Sequence, residues 1–177
     1  MKNYNNEPFI STDLNLLKEL DSISEKLHKN MITEGKSFIV KDILDKKKFN
    51  SFWDFEPHDE NKYTKKEYKG IYAFASVTNG IVNFKYIGIS QTIKRRFNAH
   101  TKRTTRQEAS WAYLMIKKDL VEKTLKERES YIPIYQKEKI YPLRFTFFPI
   151  EDNMLLHIAE VYCVNKLHSY WNSFETH

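Results

Sequence analysis

Cysteine, glycine and proline are scarce in this chain, and each scarcity narrows what the chain can be. The one cysteine, Cys163, has no partner for an intramolecular disulfide and suits a reducing compartment, so a cytoplasmic location is expected. Four glycines and five prolines in 177 residues argue against long flexible linkers. No stretch approaches the ~20 consecutive apolar residues of a membrane span. The opening MKNYNNEPFISTD has no apolar centre of the kind a secretory signal needs, so no membrane association is expected. Acids are missing from one place in particular. Between Lys85 and Arg106 there is none, while Lys85, Lys94, Arg95, Arg96, Lys102, Arg103 and Arg106 put seven positive charges into 22 residues. The whole chain is only +6, so the remainder is close to neutral. A concentrated basic patch on a balanced background is what a phosphate backbone requires of its partner. A solvated basic helix face has the same composition.

What is present is globular. Hydrophobic residues make up 41% and aromatics 15%, enough for a self-sufficient core, and the length suits one compact domain. Leu14, Leu17, Leu20, Ile23 and Leu27 recur at helical spacing and predict a helix over 12–29, with Ser11 or Thr12 as its cap. Residues 38–56 are aromatic-rich (Phe38, Phe49, Phe52, Trp53, Phe55) and are expected to pack on a sheet formed later in the chain; residues 57–68 are polar and read as a loop. Segments 70–77 and 81–89 read as strands joined by Thr78-Asn79-Gly80, a hairpin signal. Helices are expected over 91–103, 109–129 and 153–168, and a third strand over Leu143–Ile150. The order gives an α+β fold: a small three-stranded, mainly antiparallel sheet flanked by helices, with an N-terminal helical extension (1–69) packed on a core (70–177) that holds a helical insert at about 101–142.

Glu160 is the only charged residue in the run from Met154 to Val164, which is otherwise suited to burial. A buried lone carboxylate is costly unless a cation meets it. Upstream stand Gly70-Ile71-Tyr72 and Tyr86-Ile87-Gly88, followed by the basic helix in which Arg96 and His100, four apart, share a face.

These tripeptides, with Ser90, Arg96 and His100 at their spacing, Glu160 on a later helix and Asn172 twelve residues beyond it, resemble the GIY-YIG nuclease family over about residues 70–172. Thirteen residues separate the tripeptides, slightly more than is usual in the family. The resemblance implies a phosphodiesterase with Tyr72, Tyr86, Arg96, His100, Glu160 and Asn172 in its site. The chemistry is consistent with that. One divalent metal stabilises charge and assists a leaving oxygen, and a single carboxylate plus waters and phosphate oxygens suits Mg²⁺ (or Mn²⁺), one per active site, with Glu160 as its ligand. Arg96 is suited to hold the phosphate. Tyr72 would receive or relay the proton of the water, which requires nearby positive charge because an unperturbed phenol titrates near pH ~10; Arg96, Lys85 and the metal are candidate sources. Tyr86 would position the nucleophile or phosphate. His100 would bond Tyr72 or the phosphate, and Asn172 would orient its neighbours.

Lys94, Arg95, Lys102, Arg103, Arg106 and Gln107 are candidate contacts to double-stranded DNA. A compact nuclease with recognition elements inside its core, and a lysine (Lys85) directly before the second tripeptide, resembles the type II restriction endonucleases. That branch implies a homodimer on a symmetric site, with one active site per strand. A monomeric nickase, a structure-specific mobile-element or phage nuclease, and a catalytically inactive nucleic-acid-binding module stay open. A cognate DNA methyltransferase cannot be inferred from the chain.

Hairpin register decides what Tyr72 faces. A two-residue Asn79-Gly80 turn with unbroken pairing would set Tyr72 opposite Ile87, sharing its face with Lys85. A three-residue loop would set it opposite Tyr86 and send Lys85 to the other face. The three-residue loop is the expectation, because it aligns both tyrosines without a bulge.

Overall fold

The computed structural model describes residues 9–44, Trp53 and 67–172. In chain order these form α1 (Phe9–Ile32), β1 (Phe38–Ile39), α2 (Val40–Ile43), β2 (Gly70–Thr78), β3 (Ile81–Ser90), α3 (Ile93–Lys102), α4 (Ser110–Asp119), α5 (Leu125–Ser130), α6 (Ile132–Tyr135), a π-helical turn (Gln136–Ile140), β4 (Arg144–Pro149) and α7 (Asn153–Lys166). Among the described residues, no helix is long and apolar enough to cross a membrane.

The strands form one antiparallel sheet in the order β1-β4-β2-β3. It is an α+β fold with four strands rather than the expected three. The extra strand is the two-residue β1, which pairs Phe38 with Phe145 and Ile39 with Arg144. β2 lies in the centre and is covered on both faces, which is why Gly70 through Ala75 are all buried. Alternation then divides the core in two. Tyr72, Phe74, Phe145 and Phe147 point to one face, with Trp53, Phe97, Trp111 and Ile132. Ile71, Ala73, Ala75 and Ile87 point to the other, against Leu20, Ile23, Leu27 and Met31 of α1 and Leu156, Ala159, Cys163 and Val164 of α7.

Several expectations need correcting. α1 starts by Phe9, so Ser11 and Thr12 lie within it and do not cap it. The predicted helix 109–129 is two helices. α4 ends at Asp119, and Thr124 opens α5 through a reciprocal capping box with Glu127, a signal (Thr-x-x-Glu) present in the sequence. The Arg128 Nε donates to the Leu120 carbonyl at 3.0 Å and holds the turn between them. Trp53 packs under the sheet as expected, whereas Phe49, Phe52 and Phe55 and most of the expected loop 57–68 lie outside the described residues.

The hairpin follows neither register considered above. Asn79 (φ 52°) and Gly80 (φ 78°) form a two-residue turn, and Thr78 pairs with Ile81. Two left-handed residues in succession fit the twist of the flanking strands. Pairing then breaks between Phe74 and Ala75: Ala75 faces Phe84, Phe74 faces Tyr86, and Lys85 is the extra residue of a β-bulge. Beyond it, Tyr72 lies opposite Gly88. The bulge, not the turn, brings Tyr72 and Tyr86 to one face.

Candidate active site

Opposite Tyr72 there is room for no side chain but hydrogen. A Cβ at Gly88 would lie 2.6 Å from the Tyr72 hydroxyl and 3.1 Å from the Tyr86 ring. Gly70 is constrained differently, since a Cβ there would stand 2.2 Å from the Phe148 carbonyl of β4. One glycine admits the phenol; the other admits a neighbouring strand.

Over the phenol lies α3. Its Ile93 and Phe97 are buried in the aromatic core, and this phase brings Arg96 and His100 onto Tyr72. The Arg96 Nε donates to the Tyr72 hydroxyl oxygen at 3.3 Å, and the His100 Nε2 lies 3.0 Å from the same oxygen. The rings of Tyr72 and Tyr86 are 6.2 Å apart and those of Tyr86 and His100 5.2 Å apart. Burial, followed by the Arg96 charge, holds His100 well below the usual imidazole range, so it is neutral at physiological pH. Burial also pushes Tyr72 well above the ordinary phenol value, with Tyr86 adding to it. Arg96 pulls the other way, as expected of a nearby cation, but does not overcome burial. For Arg96 itself, burial is outweighed by Tyr72 and Tyr86, and its affinity for a proton rises further. The resting cluster is therefore a neutral phenol, a neutral imidazole and a guanidinium. With Arg96 donating to the phenol oxygen, the phenol proton has two acceptors in reach: the His100 Nε2, in the tautomer protonated at Nδ1, and Tyr86. The His100 Nδ1 is buried without a partner.

Glu160 arrives from the opposite face of the sheet. α7 buries Leu156, Ala159 and Cys163 against the aliphatic core, and Glu160 sits half-buried beside that stripe. Its carboxylate accepts the Ile89 N–H and feels the charge of Arg96. Burial raises its proton affinity; His157, the Ile89 N–H and Arg96 each oppose that. β3 is an edge strand, so a side chain from behind the sheet can reach the front past its rim.

Asn172 does not join the cluster. It binds the edge of β3, its Oδ1 accepting the Ile87 N–H at 2.9 Å and its Nδ2 donating to the Ile87 carbonyl at 2.5 Å. The Trp171 N–H adds a bond to the Lys85 carbonyl at 3.0 Å. The tail thus clamps the strand segment between the two motif residues Tyr86 and Gly88. Lys85 stands apart as well. It is turned by the bulge and lines a separate pocket with Trp111 and Trp171.

In front of the cluster opens a groove of about 610 Å³. Ser90, Lys94, Arg95, Arg96, Arg103 and Gln107 line it, so four cations face two carboxylates, Glu67 and Glu108. Glu108 sits 3.6 Å from the Arg103 Nε. Lys102 and Arg106 are exposed and are not among its lining residues.

Four positioning residues had no signal in the motif spacing. Glu67 accepts the N–H groups of Lys94 (2.7 Å) and Arg95 (3.3 Å), capping α3 where Thr92 does not. Ser110 accepts from a terminal nitrogen of Arg96 at 3.0 Å. The buried Gln136 donates to the carbonyls of His100 (3.0 Å) and Arg103 (2.8 Å), closing the C-terminus of α3. Trp111 stacks on Tyr86 with ring centroids 4.9 Å apart. None of these could have been suspected from sequence, since each is brought to the site by long-range packing.

Residues 68–139 match the family model of the GIY-YIG catalytic domain. The match takes in the hairpin, α3 and most of the insert, and it supports a nuclease, a hydrolase of phosphodiester bonds. Glu160 and Asn172 lie beyond its end, so the match says nothing of either. No curated protein and no solved structure matches the chain.

Proposed function

We propose that the chain is a metal-dependent DNA endonuclease, and specifically a type II restriction endonuclease that acts as a homodimer on a short symmetric duplex site. The observation that carries this reading is the hydrogen-bonded Tyr72–Arg96–His100 cluster whose Arg96 lines a basic groove, with the Glu160 carboxylate near enough to feel the Arg96 charge.

The donors present fit a Mg²⁺ ion that keeps much of its water. Among the described residues no group of three or more His, Cys, Asp or Glu side chains is placed to hold a metal, and Glu160 is the half-buried carboxylate whose proton affinity is raised and which feels the Arg96 charge. A cation there would offset the cost of that burial. When bound, the metal supplies charge stabilisation at the phosphate and assists the leaving oxygen. The protein does the rest. Arg96, fixed by Ser110 and Tyr72, presents its guanidinium to the phosphate and to the charge that grows on it. The Tyr72 oxygen takes the proton of the attacking water while its own proton passes to the His100 Nε2 across the 3.0 Å contact. His100 is neutral and within reach of that proton, and because burial and the Arg96 charge lower its affinity for it, the transfer is transient. Tyr86, packed on Trp111, fixes the position of Tyr72 and Arg96. Lys94, Arg95 and Arg103 hold flanking phosphates.

The test is digestion of a random-sequence duplex library in Mg²⁺, followed by sequencing of the ends. Double-strand ends at one short symmetric sequence, no cleavage by Glu160→Gln, and two chains per duplex in sedimentation of that variant are expected. Single-strand nicks by a 1:1 complex would replace the restriction reading with a nickase. Absence of any cleavage would leave a binding module.

A further inference from the structure

Behind Tyr86, away from the basic groove, lies a second pocket that the proposed chemistry does not use. Its volume is about 270 Å³, below the roughly 300–1,000 Å³ of sites for drug-sized ligands. Lys85, Trp111, Asp119, Lys139, Tyr170 and Trp171 line it over an apolar floor that includes Met115. Three independent features build it. The β-bulge turns Lys85 into it. The tail clamp places Trp171 and Tyr170 beside β3 through the N–H bonds to the Lys85 and Phe84 carbonyls. The ring of Trp111 is shared with the active site, where it stacks on Tyr86.

The geometry points to a site for one unstacked nucleobase of the DNA strand held in the active site, a proposal that rests on the nuclease reading above. Flat aromatic walls offer stacking to any base. Lys85 and Lys139 supply cations for the phosphates flanking it. The Asp119 carboxylate, which accepts the Tyr135 hydroxyl through Oδ2 at 3.1 Å, keeps Oδ1 as an acceptor for an exocyclic amino group. Lys118 lies 4.9 Å from the Trp171 ring centroid and 5.1 Å from that of Tyr170, which steadies both rings and leaves the mouth positively charged. Tyr170 is 64% exposed, so its ring is accessible to a stacking partner. Duplex DNA does not fit such a volume; a single base leaving its stack does.

The probe is a pair of 20-base-pair duplexes, one fully paired and one with a single unpaired adenine, titrated against the full chain without divalent metal so that nothing is cut. Wild type is expected to bind the bulged duplex about tenfold more tightly, the factor for one base–aromatic stack. Trp171→Ala should abolish that preference with little change for the paired duplex, and Trp171→Phe should restore it. Tyr170→Ala, an exposed truncation, should lower the preference even if loss of Trp171 loosens the tail. Equal affinity of wild type for both duplexes, or a preference that survives Trp171→Ala and Tyr170→Ala, overturns the proposal. The nuclease reading fails on a different readout, cleavage in Mg²⁺, so either can fall without the other.

Discussion

The two faces of the sheet are built from the same strands and do different work. One is aromatic and carries the buried Tyr72 and His100; the other is aliphatic, and its buried polar side chains, Ser24 and Thr146, are hydrogen-bonded to backbone carbonyls. On the aromatic face Tyr72, Phe74, Phe145 and Phe147 meet Trp53, Phe97 and Trp111, and two buried nitrogens (His100 Nδ1 and Trp111 Nε1) find no hydrogen-bond partner among the described residues. On the aliphatic face Ile71, Ala73 and Ile87 meet the leucines of α1 and α7. Unpartnered buried polar groups reduce stability, by roughly 1–3 kcal/mol each on typical figures. They collect where a phenol, an imidazole and a guanidinium must be held in a low-dielectric setting, while the opposite face supplies the compensating apolar burial. The one site residue contributed from the aliphatic side, Glu160, reaches the cluster around the edge strand.

The sharpest way to break this division is to remove the guanidinium that bridges cluster and groove. Arg96→Ala should lower the cleavage rate on the order of 10³-fold, the usual scale for one charge-stabilising donor, with melting temperature little changed. An Arg96→Ala enzyme with near-normal rate would mean that the aromatic face does not hold the chemistry. Gly88→Ala comes next. Its methyl would need space that the Tyr72 hydroxyl occupies at 2.6 Å. Displacing the phenol by an ångström should cost about 10²-fold in rate, checked by single-turnover kinetics at saturating enzyme.

The opposite face should behave inversely. Leu27, fully buried under the sheet, loses about 2–5 kcal/mol of stability on change to alanine. The rate constant per folded molecule should stay within twofold or so, read from urea melts and active-site titration together. A fall in single-turnover rate matching that of Gly88→Ala would show that the two faces are not separable.

A smaller effect lies in pH. The folded-state pKa of His100 is depressed, so the unfolded chain binds a proton that the folded chain refuses. Stability is therefore fully present above the unfolded value near ~6.5 and declines as pH falls below it. Glu160 has the reverse sign: its pKa is raised in the fold, so its contribution declines as pH rises through the carboxylate range. Comparing His100→Gln with wild type by thermal melts should show the wild type losing ground to the variant below pH ~6.5. A constant difference across that range would contradict a neutral, buried imidazole. The smallest effect is expected at Arg95, an exposed wall of the groove. Arg95→Ala should weaken duplex binding severalfold and reduce the slope of log affinity against log salt by about one, with cleavage at saturation unchanged.

The sequence by itself determined the local parts. The two tripeptides, the four-residue spacing of Arg96 and His100 on an amphipathic helix, the acid-free basic run and the lone carboxylate among apolar residues depend only on spacing, periodicity and charge. These survive transfer from chain to fold because a helix or strand fixes them within a few residues. Tertiary structure decided the rest. The bulge at Lys85 aligned Tyr72 with Gly88 and sent Lys85 to a second pocket; the three-residue loop, expected because it aligns the tyrosines without a bulge, gives way to the two-residue Asn79-Gly80 turn with the bulge realigning the strands. Asn172, 85 residues from Ile87, became a clamp on an edge strand. Gln136 and Ser110 became supports of His100 and Arg96 from an insert whose helices break where capping, not periodicity, dictates. The environment that keeps Tyr72 protonated and His100 neutral is likewise long-range. Burial is contributed by residues far apart in the chain, from Trp53 to Phe147, and it outweighed the nearby arginine that the sequence had placed beside the phenol.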